Sequence, residues 1–264
     1  MAEDEKSFAE EMLGPVLSFF ESIGTTVSLT IQTILWLFRP PFRVNQMLAA
    51  MDYIGVQSIF IVGLTGLFSG MVVALQSVSA LKQFSAEANV GGLVTVSLMR
   101  EVSPVFSAIM ITARAGSAMA AEIGNMRVTE QIDAITTMGV SPVQYLLSPR
   151  LLAGTLMGPL LCVLYTTVGM FGCYVVTIVW LGGDWGFFMQ SIHDMAVPND
   201  LFMGMKKSAV FGFLVCAIAS RHGFYASGGA RGVGTATTRA VVESCVSLLV
   251  ANYILTQVML SDAL

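Results

Sequence analysis

The sequence predicts an all-α integral membrane protein. It comprises an N-terminal interfacial helix, five transmembrane helices and a short cytoplasmic amphipathic helix between the second and third spans. Three observations predict this. First, of 264 residues 55% are hydrophobic and only 11% charged, whereas soluble domains carry roughly 25% charged residues. Second, uncharged runs long enough to cross a bilayer, about 20 residues each, recur along the chain. Third, the arginines and lysines between those runs are distributed unevenly. The formal net charge of −4 is modest, and no basic tract points to nucleic acid.

Taken in order, "MAEDEKSFAEEM" is acidic and lacks a basic stretch followed by an apolar one, so no signal peptide is expected there. Ser22 to Phe38 is apolar but interrupted by Thr25, Thr26, Ser28, Thr30, Gln32 and Thr33, and "RPPFR" stops it. This composition fits a helix in the interface, with a sixth span as the alternative. Ile54 to Leu81 carries no charge and is the first span. Ala88 to Met99 and Val102 to Ala113 are each too short alone, and joined they make the second, with Arg100 and Glu101 near its middle. Leu151 to Gly183 is the third span. A helix starting near Leu201 and running to Ser220, taking in Lys206 and Lys207, is the fourth. Ser244 to Ser261, extended back a turn, is the fifth.

With five spans and the N-terminus inside, Lys6, Arg39, Arg43, Arg114, Arg127, Arg150, Arg221, Arg231 and Arg239 are cytoplasmic. Only Lys82, Lys206 and Lys207 fall outside, as the positive-inside rule requires. Gly66 with Gly70, and Gly154 with Gly158, stand at the spacing that lets helix backbones approach closely in lipid, in a tight bundle or a dimer. The four cysteines lie in apolar runs and read as small buried hydrophobes. His193 and His222 have no companion ligand set for a metal.

Met119 to Met138 departs from its surroundings. Met119, Ile123 and Met126, then Val128, Ile132 and Ile135, recur at helical spacing, with polar residues on the remainder. Gly139 is a C-terminal stop, followed by Pro142. Ser148-Pro149 reads as the cap and first position of the third span. Residues alone leave open whether this helix is simply solvated or transmits force from a cytosolic partner.

Arg100 lies roughly 18 Å along its helix from Ala88, at about 1.5 Å per residue. A charge at that depth costs at least about 2.5–3.5 kcal/mol unless it meets a partner or a cavity. Pro104 cannot donate to the carbonyl of Arg100, so a kink and a freed acceptor are expected beside the charges. The pair either fixes helix packing or forms a polar rung in a cavity. In the second case Arg100 would meet a phosphate and Glu101 would pair with Lys207.

Several separated stretches together resemble the MlaE/YrbE permease family. They are "GLFSGMVVALQ" (66–76), "FSAE" (84–87), "LMREVSPV" (98–105), "ARAGSA" (113–118), "AEIGNMRVTEQIDA" (121–134), "MGVSP" (138–142), "SPR" (148–150) and "GGARGVGTATTRAVV" (228–242). Ala113 stands where relatives often have glycine. The resemblance covers about residues 45 to 260 and divides the chain into a cytoplasmic N-terminus with interfacial helix (1–50) and a permease domain (51–264).

It implies the membrane subunit of an ABC transporter in the bacterial inner membrane, moving phospholipid or related lipid to or from an MCE-domain protein on the outer side. It further implies a homodimer and two cytosolic ATPase subunits that hold ATP and magnesium. The Met119–Met138 helix becomes the coupling helix, with Glu122, Gly124, Met126, Arg127, Glu130, Gln131 and Asp133 facing the ATPase and the loop Ser227 to Arg239 nearby. Val73, Leu81, Phe84, Arg100, Glu101, Val102 and Lys207 become the lipid-binding set. For the apolar members, helix packing is the competing role on sequence grounds.

No G-x-x-x-x-G-K-[ST] occurs in the sequence, so nucleotide chemistry is expected from a partner. A channel or structural subunit without ATP coupling is the alternative. An intramembrane enzyme lacks a G-x-S-x-G or a fitting histidine arrangement.

Overall fold

The computed structural model describes residues 24–37, 39–40 and 43–261; the acidic N-terminal stretch and Lys6 lie outside the described residues. Among the described residues every regular element is helical, and five helices are long and apolar enough to cross a membrane. Helix α1 covers residues 24–37. The five spanning helices are α2 (Val44–Lys82), α3 (Glu87–Val128), α5 (Val143–Trp180), α7 (Pro198–Phe224) and α8 (Gly229–Ser261). Two short helices join them, α4 (Gln131–Thr137) and α6 (Trp185–Met195).

All five predicted spans are present, and their helices continue well past the apolar runs. Helix α3 has 42 residues and is about 63 Å long at about 1.5 Å per residue, twice a hydrocarbon core of about 30 Å. Its excess turns, Ser117–Val128, continue the span out of the apolar zone. The expected single helix Met119–Met138 is therefore corrected to two pieces. The first half is the end of α3, with Met119, Ala120, Ile123 and Gly124 buried against α7 and α8. The second is α4, separated by Glu130 in the left-handed region (φ 59°). Gly139 ends α4 as expected, at φ 76°. There Gly139 N–H donates to Thr136 O (3.0 Å) and Val140 N–H to Ile135 O (3.3 Å).

Two further boundaries move. Helix α5 starts at Val143, so Ser148-Pro149 lies inside it, just after a wide π turn, Val143–Leu147. The Ser148 hydroxyl donates to Thr33 O of α1 (3.1 Å) instead of capping a helix. Helix α8 begins at Gly229, so Ser227 to Arg239 is mostly helix and only residues 225–228 form the turn. Helix α6 was not foreseen. Asp184 caps it by accepting from Phe187 N–H (3.1 Å), and its Ser191 hydroxyl oxygen accepts from Gly92 N–H of α3 (3.0 Å).

Helix α5 is the hub, packing against α2 on one side and α7 on the other. Both contacts are made through glycine. A Cβ on Gly70 would lie 2.1 Å from the Gly169 carbonyl oxygen, and one on Gly212 2.1 Å from that of Gly154. The small-residue pairs seen in the sequence thus serve packing within the chain. Apolar side chains of α8 such as Val242, Leu249 and Tyr253 remain exposed, and α1 buries Leu29 and Thr33 while exposing Ile31 and Leu35.

Gly212→Val is expected to force α5 and α7 apart, an overpacking cost of roughly 1–3 kcal/mol. It should appear as a lower melting temperature in detergent. Gly63→Ala, with nothing within 4 Å of the new Cβ, serves as the neutral control, and equal melting for both variants would contradict this packing.

Candidate functional site

Four charged residues of the spans, Arg100, Glu101, Asp200 and Lys207, gather where α3, α7 and α8 meet. Lys207 is 1% exposed, and an ammonium at that burial is tolerable only if its hydrogens are all accepted. They are. Nζ donates to Glu101 Oε1 (2.7 Å), to Thr256 Oγ1 (2.8 Å) and to the backbone oxygen of Arg100 (3.0 Å). The last is the carbonyl that Pro104 leaves without its helical donor. Freed acceptor and pairing lysine are thus the same contact. The backbone widens into a π turn over Leu98–Val102 just before Pro104. Gly204, one turn before Lys207, lets α7 come against this segment; a Cβ there would lie 2.2 Å from Met99 O. Asn252 Nδ2 completes the cluster, donating to Glu101 Oε2 (3.2 Å).

Arg100 points to a partner that sequence reasoning missed. Its Nε and Nη2 donate to Asp200 Oδ1 (2.8 and 2.7 Å). Asp200, 2% exposed, also accepts from Val197 N–H (3.2 Å) at the start of α7. The string Val197-Pro198-Asn199-Asp200 signals a helix start, with proline at the first position and an acid two residues on, but not which cation the acid holds. The outward-facing members are unequal to Lys207: the side chain of Arg100 is 41% exposed and that of Glu101 43%.

A second polar level lies about 20 Å away, counting from Glu101 to Arg114 at about 1.5 Å per residue. The same separation holds along α7 from Lys207 to Arg221 and along α8 from Thr256 to Glu243. At this level Arg221 Nη1 donates to both oxygens of Glu243 (3.0 and 3.2 Å), and His222 Nε2 lies 2.7 Å from Oε2. Arg114, the arginine of "ARAGSA", donates to Tyr53 O, Gln57 Oε1 and Ser58 Oγ. It thereby ties α3 to the 3₁₀ segment Val56–Ser58 within α2. Between the levels α3, α7 and α8 carry no charged residue, and Ala108, Ile111, Phe211, Val215 and Leu248 are buried beside the small hydroxyls of Ser107, Thr112 and Ser208. The Arg100–Lys207 cluster therefore sits within the apolar zone, and the Arg114 level marks the arginine-rich end of the bundle.

The other predicted lipid-binding residues are dispersed. Val102 adjoins the cluster in sequence, Val73 and Leu81 are half-buried against the core, and Phe84 stands exposed in the turn after α2. Among the described residues, cavities of about 640 Å³ beside Tyr53, Met126 and Arg150 and about 600 Å³ beside Arg221, Tyr225 and Arg239 lie away from this set.

The expected ATPase-facing residues divide in the same way. Arg127 Nη1 pairs with Asp133 Oδ1 across the break (2.7 Å), and Gln131 Nε2 donates to Thr129 Oγ1 (3.0 Å). With Glu130 these make one exposed tip. Glu122 instead turns to Arg150 of α5 (2.8 Å), and Met126 is half-buried. Gly124 is buried against Ala226 and Val233, so it has no surface to offer a partner.

Glu101→Gln leaves the Lys207 ammonium buried without its counter-charge, and breaking a buried pair in this direction costs roughly 3–5 kcal/mol. Lys207→Met should cost less, roughly 1–3 kcal/mol for the Arg100 carbonyl it strands, because the carboxylate left behind is half-exposed. Thermal unfolding of the two variants in the same detergent checks the order. A Glu101→Gln protein melting with the wild type would refute the assignment.

Comparison with known proteins gives a consistent set. The family model described as Permease MlaE matches residues 47–258. The intermembrane phospholipid transport system permease protein MlaE of Haemophilus influenzae is 35% identical over 247 residues, covering 92% of this chain and 94% of that protein. A probable ABC transporter permease protein of Rickettsia felis is 36% identical, covering 91% and 93%. The chloroplastic protein Trigalactosyldiacylglycerol 1 of Arabidopsis thaliana is 34% identical, covering 85% of this chain and 64% of that protein.

Proposed function

The chain belongs to the MlaE permease family, and from that premise we propose that it is the membrane subunit of an ATP-driven transporter carrying phospholipid or a related lipid. In this reading it works as a homodimer in the bacterial inner membrane. Its N-terminus and arginine-rich end face the cytoplasm, with two ATPase subunits bound there. An MCE-domain protein on the outer side delivers or accepts the lipid. ATP and magnesium sit on the ATPases, and this chain supplies the path and the lever.

One observation carries the reading. Arg100 and Glu101 lie within the apolar zone, yet their side chains are 41% and 43% exposed on the single chain. Hydrocarbon solvates such groups poorly, so charged residues there face a partner or a polar cavity. A second copy placed over this face encloses a cavity with Arg100 available to a lipid phosphate and the apolar walls available to its acyl chains. Asp200 and Lys207 hold the two outward charges in place from behind.

Coupling runs through the tip. Ser117–Val128 is continuous with the helix that carries Arg100, so a push on Arg127, Glu130, Gln131 and Asp133 acts directly on α3. Transport follows if the two resulting states bind lipid with different affinity.

The double variant Glu130→Lys/Asp133→Lys should insert normally while ATPase co-purification and lipid-stimulated ATP turnover fall. Full co-purification with normal turnover would count against the tip as the lever. Orientation is checked separately by single cysteines at two exposed positions, Phe84 and Met138. An impermeant maleimide added outside the inner membrane should label Phe84→Cys and spare Met138→Cys; the reverse pattern inverts the topology.

A further inference from the structure

At the arginine-rich end, α1 and the start of α5 enclose a groove of about 370 Å³ that takes no part in the path described above. Its apolar lining includes Trp36, Leu37, Met47 and Leu152, and its rim carries Arg39 and Arg43. The walls are tied together: Ser148 Oγ donates to Thr33 O (3.1 Å), and Gln144 Nε2 donates to Arg39 O (2.8 Å). Both guanidiniums lie on aromatic rings, Arg39 at 5.2 Å from the Trp36 centroid and Arg43 at 4.6 Å from that of Tyr145.

Stacking occupies the face of a guanidinium and leaves the N–H groups on its edge, which is the side that grips phosphate. Among the described residues neither arginine has a carboxylate partner, and Arg43 Nε is buried with no acceptor. Glu122, the nearby acid on α3, is held by Arg150. Two cations without a carboxylate among the described residues, beside an apolar slot and with a tryptophan at the boundary, match an amphiphile with a negative head.

We propose that this groove binds one anionic phospholipid of the adjoining leaflet. The phosphate lies on Arg39 and Arg43 and an acyl chain runs along Leu37, Met47 and Leu152. The bound lipid joins α1 to α5 as a fixed component, distinct from cargo. The inference rests on the chain being a multi-pass membrane protein and is independent of which lipid is transported or whether ATP drives it.

The test uses the full chain, purified from membranes in mild detergent with any subunits that accompany it and then delipidated. Native mass spectrometry follows its binding of phosphatidylglycerol and of phosphatidylcholine with the same acyl chains. The wild type should prefer phosphatidylglycerol. Arg39→Gln/Arg43→Gln should lose on the order of 25-fold in that preference, taking about fivefold per basic residue near an anionic surface. Lys82→Gln, which removes one exposed charge at the opposite end of α2, should retain the preference, which separates this groove from a general effect of net charge. Leu152→Trp, which fills the slot and leaves both charges, should also weaken binding.

Three results overturn the proposal: a wild type without phosphatidylglycerol preference, a double variant with preference unchanged, or displacement of the lipid by inorganic phosphate. The last would make the site one for free anions. Loss of an accompanying subunit in the double variant, with lipid preference intact, would assign the arginines to a protein partner instead.

Discussion

The placement of one ammonium group governs the architecture of this bundle. Lys207 is shut away from solvent, and its three hydrogens find acceptors on two other helices: a carboxylate and a backbone oxygen on α3 and a hydroxyl on α8. Each acceptor sets a register. Thr256 fixes how far α8 has slid along α7, and Glu101 and the Arg100 carbonyl fix α3. That carbonyl is free because Pro104 follows four residues later, and α7 reaches it because Gly204 has no side chain. Proline, glycine and lysine on two different helices thus answer one electrostatic requirement.

The other half of the bundle is held by shape. Helix α5 lies against α2 and α7 with glycine backbones in contact, which lets many weak dispersion contacts form in a solvent that offers no hydrophobic drive between helices. This division leaves α8 attached mainly through α7 and the end of α3, with much of its surface apolar and open. Glu101 joins this loosely held helix to the charge cluster through Asn252 and Thr256.

Length connects the apolar zone with the tip beyond it. A helix twice as long as the hydrocarbon is thick needs no separate joint to carry a movement outward. Here α3 carries the charge cluster at one level, the Arg114 staple about 20 Å further along, and the Arg127–Asp133 tip beyond that. The short 3₁₀ segment Val56–Ser58 of α2 is tied to the same helix by Arg114.

Much of this could be read from residues in order. The five apolar runs, the charges inside the second and fourth, the carbonyl released by Pro104 and the small-residue pairs all follow from local chemistry and helical period. The approximate depth of Arg100 follows from counting residues. Tertiary structure decided the rest. Asp200 became the partner of Arg100 because α7 starts beside the π turn of α3, a juxtaposition between residues far apart in sequence. Met119 and Gly124 became core because α7 and α8 rise alongside α3 beyond the apolar zone. Hydropathy registers where lipid ends, and it is blind to a helix that continues into water with neighbours to cover it. Partners across helices are chosen by geometry, and geometry exists only once the backbones have met.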